Sequence, residues 1–276
     1  MKNTYIKSYL AVILIINSFN INAQNQKKID SLLFVLKSEK KDTSKVNICN
    51  SISQQFELFA LEKAIIYAEQ GIIIAEKIKF RQGLIAGYNN LGNFYFKLGN
   101  YPNAIIYYQK ALKICDELST SSNGKEAGFG KTNMHKCYNN IGVVHHFLGN
   151  FQQAVKYYQK ALEVFEDTND DRGISLCLNN IGMAYDDMGE LEKAINCYEK
   201  SIKISERLSD EQGLSMCYNN IGLVYMKLNN YSKALDYYQR TLKIDRKLKD
   251  KEAEATVLGN IAELYCKIMD YKKSVE

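Results

Sequence analysis

Five segments of the sequence resemble one another at a nearly constant spacing. Each has an aromatic residue or Leu, then a pair that is Asn-Asn in four of them, then Leu or Ile, and then a small residue. They begin at Tyr88, Tyr138, Leu178, Tyr218 and Leu258, so the first interval is 50 residues and the next three are 40. Self-similarity at a period of about 20 to 50 residues indicates a chain of stacked copies of one supersecondary unit.

Each repeat contains two segments with the periodicity of a helix. In the first, Tyr138, Ile141 and His145 follow the i, i+3, i+7 spacing of one helix face. In the second, Ala154 and Tyr158 are separated by four residues, which again places them on one face. The repeat is therefore predicted to be an antiparallel helical hairpin, and the fold class to be all-α, an α-solenoid of such hairpins. A single proline in 276 residues agrees with long helices.

Small and large residues alternate on the predicted packing faces. Gly142 and Ala154 leave room for a close approach of the two helices, and Tyr158 is expected to fill the space beside them. Gly149 follows the first helix at a position where a left-handed backbone conformation commonly ends a helix. The hairpin is thus expected to close through glycine and tyrosine.

The order aromatic or Leu, Asn, Leu or Ile, Gly, Tyr, Gly, aromatic, Ala, Tyr, Ala resembles the tetratricopeptide repeat (TPR), whose usual length is about 34 residues. The 40-residue spacing and the Asn-Asn pair are similar to the repeats of kinesin light chains and of Pins/LGN adaptors, and to extracytoplasmic sensor regions of bacterial histidine kinases. The resemblance covers residues 45–276. It implies a right-handed α-solenoid, the TPR superhelix, whose concave groove binds a protein or an extended peptide segment.

The remaining parts of the chain are assigned around this array. Residues 24–44 are expected to form a lead-in helix and linker, and residues 45–276 to form about six hairpins, the first of them degenerate. Ten extra residues within 119–132 are expected to be a flexible polar insertion. A turn at Asp270 would leave the last hairpin incomplete, and Leu258 and Tyr265 would then lie partly uncovered.

The first 23 residues have the three-part pattern of a secretory signal. Lys2 and Lys7 precede or flank an apolar run from Tyr9 to Ile16, and a polar stretch then ends at Ala23. The run is too short to span a bilayer, which requires about 20 apolar residues. Cleavage after Ala23 and export to the periplasm or cell envelope of a bacterium are therefore predicted, with an uncleaved interfacial anchor as the alternative.

The resemblance also implies which residues line the groove, because the first helices of TPR hairpins face the concave side. One Asn of each pair points into this groove, and the residues four and seven positions later share its face. The predicted groove residues are Asn89, Asn139, Asn179, Asn219, Asn93, Val143, Met183, Leu223, Phe96, His146, Asp186 and Met226. The asparagines would hold the backbone of an extended peptide, and the apolar residues would recognise its side chains. The other asparagines, Asn90, Asn140, Asn180 and Asn220, are expected to pack between hairpins.

No pattern of catalytic or metal-binding residues stands out. Residues 124–132 lack the glycine spacing of a phosphate-binding loop, and His145 and His146 point about 100° apart on a helix. Cys137, Cys177 and Cys217 recur every 40 residues and are expected to be small buried apolar residues. The net charge of +5 is too small to require a nucleic-acid partner. No enzyme activity, metal or small-molecule cofactor is predicted.

The sequence therefore predicts an exported, non-catalytic scaffold for protein or peptide binding. The alternative is that the chain is the N-terminal sensor region of a longer signalling protein, such as a membrane histidine kinase, truncated at residue 276. Contact with a membrane would then occur only through a missing C-terminal region.

Overall fold

The computed structural model describes the backbone of residues 25–275 and the side chains of residues 25–269. Over this range the chain forms twelve α-helices and no β-strand, so the predicted all-α repeat fold is confirmed. The predicted signal segment, residues 1–23, lies outside the described residues. Among the helices of the described range, none combines the length and the apolar character that crossing a membrane requires.

Helix α1 covers residues 25–38. The eleven helices that follow are α2 (Asp42–Phe56), α3 (Leu61–Lys77), α4 (Arg81–Lys97), α5 (Tyr101–Ser119), α6 (Gly124–Phe147), α7 (Phe151–Asp167), α8 (Asp171–Asp187), α9 (Leu191–Leu208), α10 (Glu211–Lys227), α11 (Tyr231–Leu248) and α12 (Lys251–Val275). They form five hairpins, which we number 1 to 5 from α2–α3 to α10–α11, followed by α12. The chain divides into unit 1, which ends at Ser121, and unit 2, which begins at Ser122.

Unit 1 contains α1 and hairpins 1 and 2. Ile29 of α1 is fully buried and belongs to the same apolar cluster as Ile52 and Phe56 of α2 and Phe94 of α4. Helix α3 packs on both α2 and α4. Helix α1 therefore completes the core of hairpin 1 rather than standing apart from the array.

Unit 2 contains hairpins 3 to 5 and α12. In every hairpin the two helices pack on each other, and each second helix also packs on the first helix of the following hairpin. The apolar clusters accordingly alternate along the unit, one centred on Tyr158, one on Tyr198 and one on Tyr238. Each hairpin thus depends on its neighbours for the burial of its apolar surface.

A glycine of the first helix packs against a tyrosine ring of the second in four hairpins. At Gly182, an added Cβ atom would lie 2.7 Å from Cε1 of Tyr198, and at Gly222 it would lie 2.7 Å from Cε1 of Tyr238. Both rings are almost completely buried. The same pairs in hairpins 2 and 3 are Gly92 with Tyr108 and Gly142 with Tyr158. The predicted role of glycine and tyrosine in closing the hairpin is confirmed.

The turns inside hairpins 2 to 5 use the left-handed backbone conformation that the sequence predicts. Gly149 has a φ of +73°, and the backbone N–H of Asn150 donates to the carbonyl of His145. This is the Schellman ending of a helix. The next helix is capped by a side chain in two of these turns, as at Asn230, whose oxygen accepts from the backbone N–H of Lys233.

Two predictions about the array are wrong. The insertion was expected to be flexible, but residues from Gly124 onwards extend α6, and Asn123 caps this helix by accepting from the N–H of Lys125. A turn was expected at Asp270, but α12 continues to Val275. The equivalent turns place Gly149 or Asn229 at positive φ, whereas the corresponding residue here is Met269, a residue type that rarely adopts this conformation.

Cys49, Cys177, Cys197, Cys217 and Cys266 are free thiols. Cys137, Cys177 and Cys217 are buried, as predicted for small apolar residues at equivalent positions. Burial raises the pKa of the Cys177 thiol to about 12 and that of Cys217 to about 11. These thiols are therefore protonated at neutral pH and contribute to packing.

One carboxyl group is buried in hairpin 5. Asp245 of α11 is 2% exposed, and its Oδ1 atom accepts from the hydroxyl of Ser215. Its Oδ2 atom has no hydrogen-bond partner among the described residues. Burial raises the pKa of this carboxyl, and the nearby charges of Asp250 and Glu254 also raise it, whereas the Ser215 hydrogen bond lowers it.

Replacing Gly182 by Ala tests the contact with Tyr198. The new methyl group would overlap a buried ring, so we expect a loss of about 1–3 kcal/mol in the free energy of unfolding, measured by chemical denaturation. Gly128→Ala is the matched control, because Gly128 is an exposed position within α6 with nothing within 4 Å of its Cβ site. That control should gain up to about 1 kcal/mol from helix propensity. Equal effects of the two substitutions would contradict the proposed packing.

Replacing Asp245 by Asn should stabilise the protein at pH 7 by about 1 kcal/mol, because it removes a buried charge while keeping an oxygen for Ser215. Since the pKa of Asp245 is higher in the folded state, stability due to this group is present at low pH and is lost as the pH rises through the folded-state pKa. The variant should show a flatter dependence of Tm on pH. Asp236→Asn, at an exposed position of the same helix, is the control and should change Tm little. A lower Tm for Asp245→Asn at pH 7 would show that the buried charge of Asp245 does not destabilise the folded protein.

Candidate functional site

The first helices of unit 2 form a continuous surface, because α8 contacts α10 and α10 contacts α12. We call the surface formed by α6, α8, α10 and α12 the first-helix face. Asn139 and Asn219 lie half-buried on it, as the predicted groove positions require. Asn179, by contrast, is only 2% exposed. This side chain contributes little accessible surface to a groove.

A chain of asparagine pairs links successive first helices. The Nδ2 atom of Asn180 donates to Oδ1 of Asn139 at 2.9 Å, and the same bond joins Asn260 to Asn219 at 2.9 Å. Asn220 similarly donates to Asn179 at 3.1 Å. The predicted packing of Asn180 and Asn220 between hairpins is confirmed by these bonds.

These bonds change what the groove asparagines can offer to a ligand. The side-chain oxygens of Asn139 and Asn219 are already acceptors for the next hairpin. Their Nδ2 atoms donate to no protein group within the described part of the chain. Each of these two side chains is thus held by its oxygen and retains an amide nitrogen with two N–H donors.

In unit 1 the corresponding residues lie on α4. Asn89 is half-buried, and Asn93 accepts a hydrogen bond of 2.7 Å from the hydroxyl of Tyr108. The ring of Phe96 lies against Tyr101, with 5.7 Å between the ring centres. Asn93 and Phe96 therefore take part in contacts within hairpin 2.

The predicted apolar groove residues of unit 2 differ in exposure. Met183 is 39% exposed on α8, while Val143 and Leu223 are half-buried against the apolar clusters. Met226 is 8% exposed and belongs to the cluster of Tyr238. Met226 therefore contributes to the core and not to the accessible surface.

The two predicted polar residues nearer the ends of the first helices contact polar residues of the next hairpin. His146 lies 2.7 Å from Oδ2 of Asp187, and Asp186 lies 2.7 Å from Nζ of Lys227. Both pairs join a first helix to the next one. Their immediate role is to connect α6 to α8 and α8 to α10.

A cleft of about 520 Å³ opens in unit 2, and Asn179 is part of its lining. Its lining includes Leu176 and Met216, which are 44% and 48% exposed. Each precedes an asparagine of the groove row by three residues, Asn179 and Asn219, and so lies on the same helix face. The predicted groove residues extend along that face only towards higher residue numbers. A step of three residues in the other direction would have identified both side chains.

The walls of the cleft carry polar groups with protein partners. Arg172 lies 3.3 Å from Oδ1 of Asp210, and Asp170 accepts a hydrogen bond from the N–H of Gly173. The ring of His135 lies against that of Phe165, with 4.1 Å between the ring centres and 36° between the ring planes. Burial lowers the pKa of His135 to about 4, assisted by the charge of Lys136 and opposed by that of Asp170. The imidazole is therefore neutral at physiological pH.

Hairpins 3 and 4 differ at one buried position near the cleft. In hairpin 3, Phe165 fills the space beside Gly173, where an added Cβ would lie 2.1 Å from the ring. The residue 40 positions after Phe165 is Ser205, whose hydroxyl lies 2.8 Å from that of Ser175. Ser175 also lies 2.8 Å from the hydroxyl of Ser201, and these two residues give the cleft lining a buried polar part.

Within residues 25–269 no group of three or more His, Cys, Asp and Glu side chains has an arrangement able to hold a metal ion. The accessible features of the site are consequently amide donors, apolar side chains and paired charges.

The sequence matches the tetratricopeptide repeat family over residues 134–207, and again over residues 85–117 and 215–248. These segments together make up about half of the chain, and they coincide with hairpins 2 to 5. The chain belongs to the tetratricopeptide repeat family. No curated protein sequence matches it significantly.

Solved structures with the same fold are numerous. BtubC (BKLC) from P. vanneervenii is 20% identical, with 83% of this chain and 91% of that chain covered and a TM-score of 0.67. A Rap protein in complex with Competence and Sporulation Factor is 16% identical, with 92% and 73% covered and a TM-score of 0.60. A kinesin light chain from P. anserina with nearly identical TPR-like repeats is 13% identical, with 76% and 99% covered and a TM-score of 0.61. At these identities the similarity shows the fold.

Proposed function

We propose that this protein is a non-catalytic scaffold that binds an extended segment of another protein along the first-helix face. The observation that carries the proposal is the pair of held amide donors on Asn139 and Asn219, with oxygens occupied and nitrogens available. Exposed Leu176 and Met216 lie on the same face. A surface of this kind offers hydrogen bonds to a peptide backbone and apolar contacts to its side chains.

The spacing of the donors suits an extended chain. Packed helices lie about 8–10 Å apart, and an extended chain advances about 3.3 Å per residue. The distance from one first helix to the next therefore corresponds to about three residues of an extended ligand. Asn139 and Asn219, which are two hairpins apart, would contact ligand residues about six positions apart. Because the hairpins hold these side chains before binding, the scaffold loses little conformational entropy when a ligand binds.

Other proteins of this fold are consistent with such a role. The similar Rap structure contains Competence and Sporulation Factor as a bound molecule. The modest net charge of +5 favours a protein ligand over a nucleic acid.

The donors can be removed without removing the bonds between hairpins. In Asn139→Asp and Asn219→Asp the carboxylate still accepts from Asn180 or Asn260, but the N–H donors are replaced by an acceptor that repels a peptide carbonyl. We expect the double variant to keep its helical circular dichroism and to bind a selected peptide about tenfold more weakly or worse, since each hydrogen bond contributes about 1 kcal/mol. Isothermal titration calorimetry measures this loss.

The control for this experiment is Asn196→Asp, which makes the same chemical change on α9, a second helix. It should leave the affinity unchanged. Full affinity of the Asn139→Asp, Asn219→Asp variant would show that the peptide does not use these donors. Asn179 is left intact, because it is buried and accepts from both Asn220 and Cys217.

We also propose that the protein is exported, to the periplasm or cell envelope of a bacterium. The support is the charged, apolar and polar order of residues 1–23, with Ala23 before the expected cleavage site. Cell fractionation followed by N-terminal sequencing should find a mature chain that begins at Gln24. Ala23→Arg should block this cleavage, because signal cleavage requires a small residue there. A cytosolic chain that retains Met1 would contradict export.

The alternative, a sensor region of a longer signalling protein, is favoured by one observation. Leu258 and Tyr265 of α12 are 44% and 50% exposed, a large apolar surface for a helix of this array. This alternative predicts a coding sequence that continues past Glu276 into a membrane-spanning segment and a kinase domain. Sequencing the natural gene beyond that codon decides between the two.

A further inference from the structure

We propose that the cleft lined by Leu176, Met216 and Phe165 is a specificity pocket that takes one large, uncharged apolar side chain of the bound segment. This inference rests on the proposed function, because Asn179 of the cleft lining belongs to the same row of first-helix asparagines as Asn139 and Asn219. It goes further by naming the side-chain class that the surface selects.

The size and lining of the cleft fit such a side chain. Its volume of about 520 Å³ lies within the range of binding pockets for small organic groups. Leu176 and Met216 are both more than 40% exposed at its mouth, although large apolar side chains are usually buried. Binding an apolar side chain would remove these surfaces from water, which is favourable in proportion to the area buried. Methionine also adapts its shape to different apolar partners.

The charges around the cleft argue against an acidic ligand group. Arg172 is paired with Asp210, and His135, which is neutral at physiological pH, lies tilted against Phe165. Asp170 accepts the N–H of Gly173 and keeps its negative charge. A glutamate side chain entering the cleft would therefore lose hydration without gaining a free cationic partner. Leu, Ile, Met or Phe would instead contact the apolar side chains of Leu176, Met216 and Phe165.

The pocket also predicts a position within the ligand. Asn179, which lines the cleft, stands in the repeat between Asn139 and Asn219. The apolar residue should therefore lie between the two ligand positions held by those asparagines. This gives a sequence pattern with one apolar residue at a constant place and little preference at the backbone-held positions.

The test uses the full chain and a phage-displayed library of short random peptides. Enriched peptides should share Leu, Ile, Met or Phe at one position. A synthetic enriched peptide should bind Leu176→Lys and Met216→Lys about tenfold more weakly or worse than it binds the wild-type chain. Because both positions are solvent-exposed, these variants should fold, and circular dichroism verifies this. Ile106→Lys is the matched control, since Ile106 is 46% exposed on α5, and it should bind normally.

A second comparison uses the peptide. Changing its shared apolar residue to Ala should weaken binding to the wild-type chain and have little further effect on Met216→Lys. This coupling identifies Met216 as a contact of that residue.

The outcomes distinguish a failure of the pocket proposal from a failure of the proposed function. Peptides that require Asn139 and Asn219 but bind Leu176→Lys and Met216→Lys with full affinity would overturn the pocket and leave the function intact. A shared acidic or basic residue at the constant position would overturn the proposed chemistry of the pocket. A library with no enriched peptide would contradict the proposed function, and the pocket with it.

Discussion

The contact on which this structure depends is that between a helix glycine and the ring of a tyrosine on the paired helix. At Gly182 and Gly222 the ring occupies space that a Cβ atom would need. The two helices of a hairpin can approach this closely only because the glycine has no side chain. The tyrosine ring, almost completely buried, then fills the remaining volume. Repetition of this contact every 40 residues gives the hairpins of unit 2 one geometry.

Regular hairpins bring equivalent residues of successive first helices close enough to bond. Asn180 reaches Asn139, and Asn260 reaches Asn219, each at 2.9 Å. These bonds use the oxygens of the groove asparagines and leave their nitrogens for a ligand. The structural and the binding roles of these residues are therefore divided between two atoms of one side chain. This division is why an Asn→Asp substitution separates the two roles and an Asn→Ala substitution does not.

The periodicity of the sequence predicted the structural features that recur in each hairpin. The hairpins, the Gly142–Tyr158 contact and the left-handed turn at Gly149 follow from residues that recur. Features that depend on a single departure from the repeat were missed. The continuation of α12 follows from Met269 at a turn position, and the extension of α6 follows from a helix-compatible insertion after the cap Asn123.

The accessible part of the site was harder to predict than the fold. Burial of Asn179 and Met226 depends on how closely the neighbouring hairpin packs, which a single helix face does not reveal. The cleft is lined by residues of successive hairpins, such as Phe165 and Met216, and it appears only when neighbouring hairpins are considered together. The exposure of Leu176 indicates a binding surface only once the positions of the groove asparagines are known.

The most direct test of the binding account is the NMR spectrum of the side-chain amide groups in the ¹⁵N-labelled full chain, with and without a saturating selected peptide. We expect the NH₂ signals of Asn139 and Asn219 to shift on binding, because their N–H groups would donate to the ligand backbone. The NH₂ signal of Asn196 on the second helix α9 should not change. Shifts confined to second-helix residues, with Asn139 and Asn219 unaffected, would contradict the account.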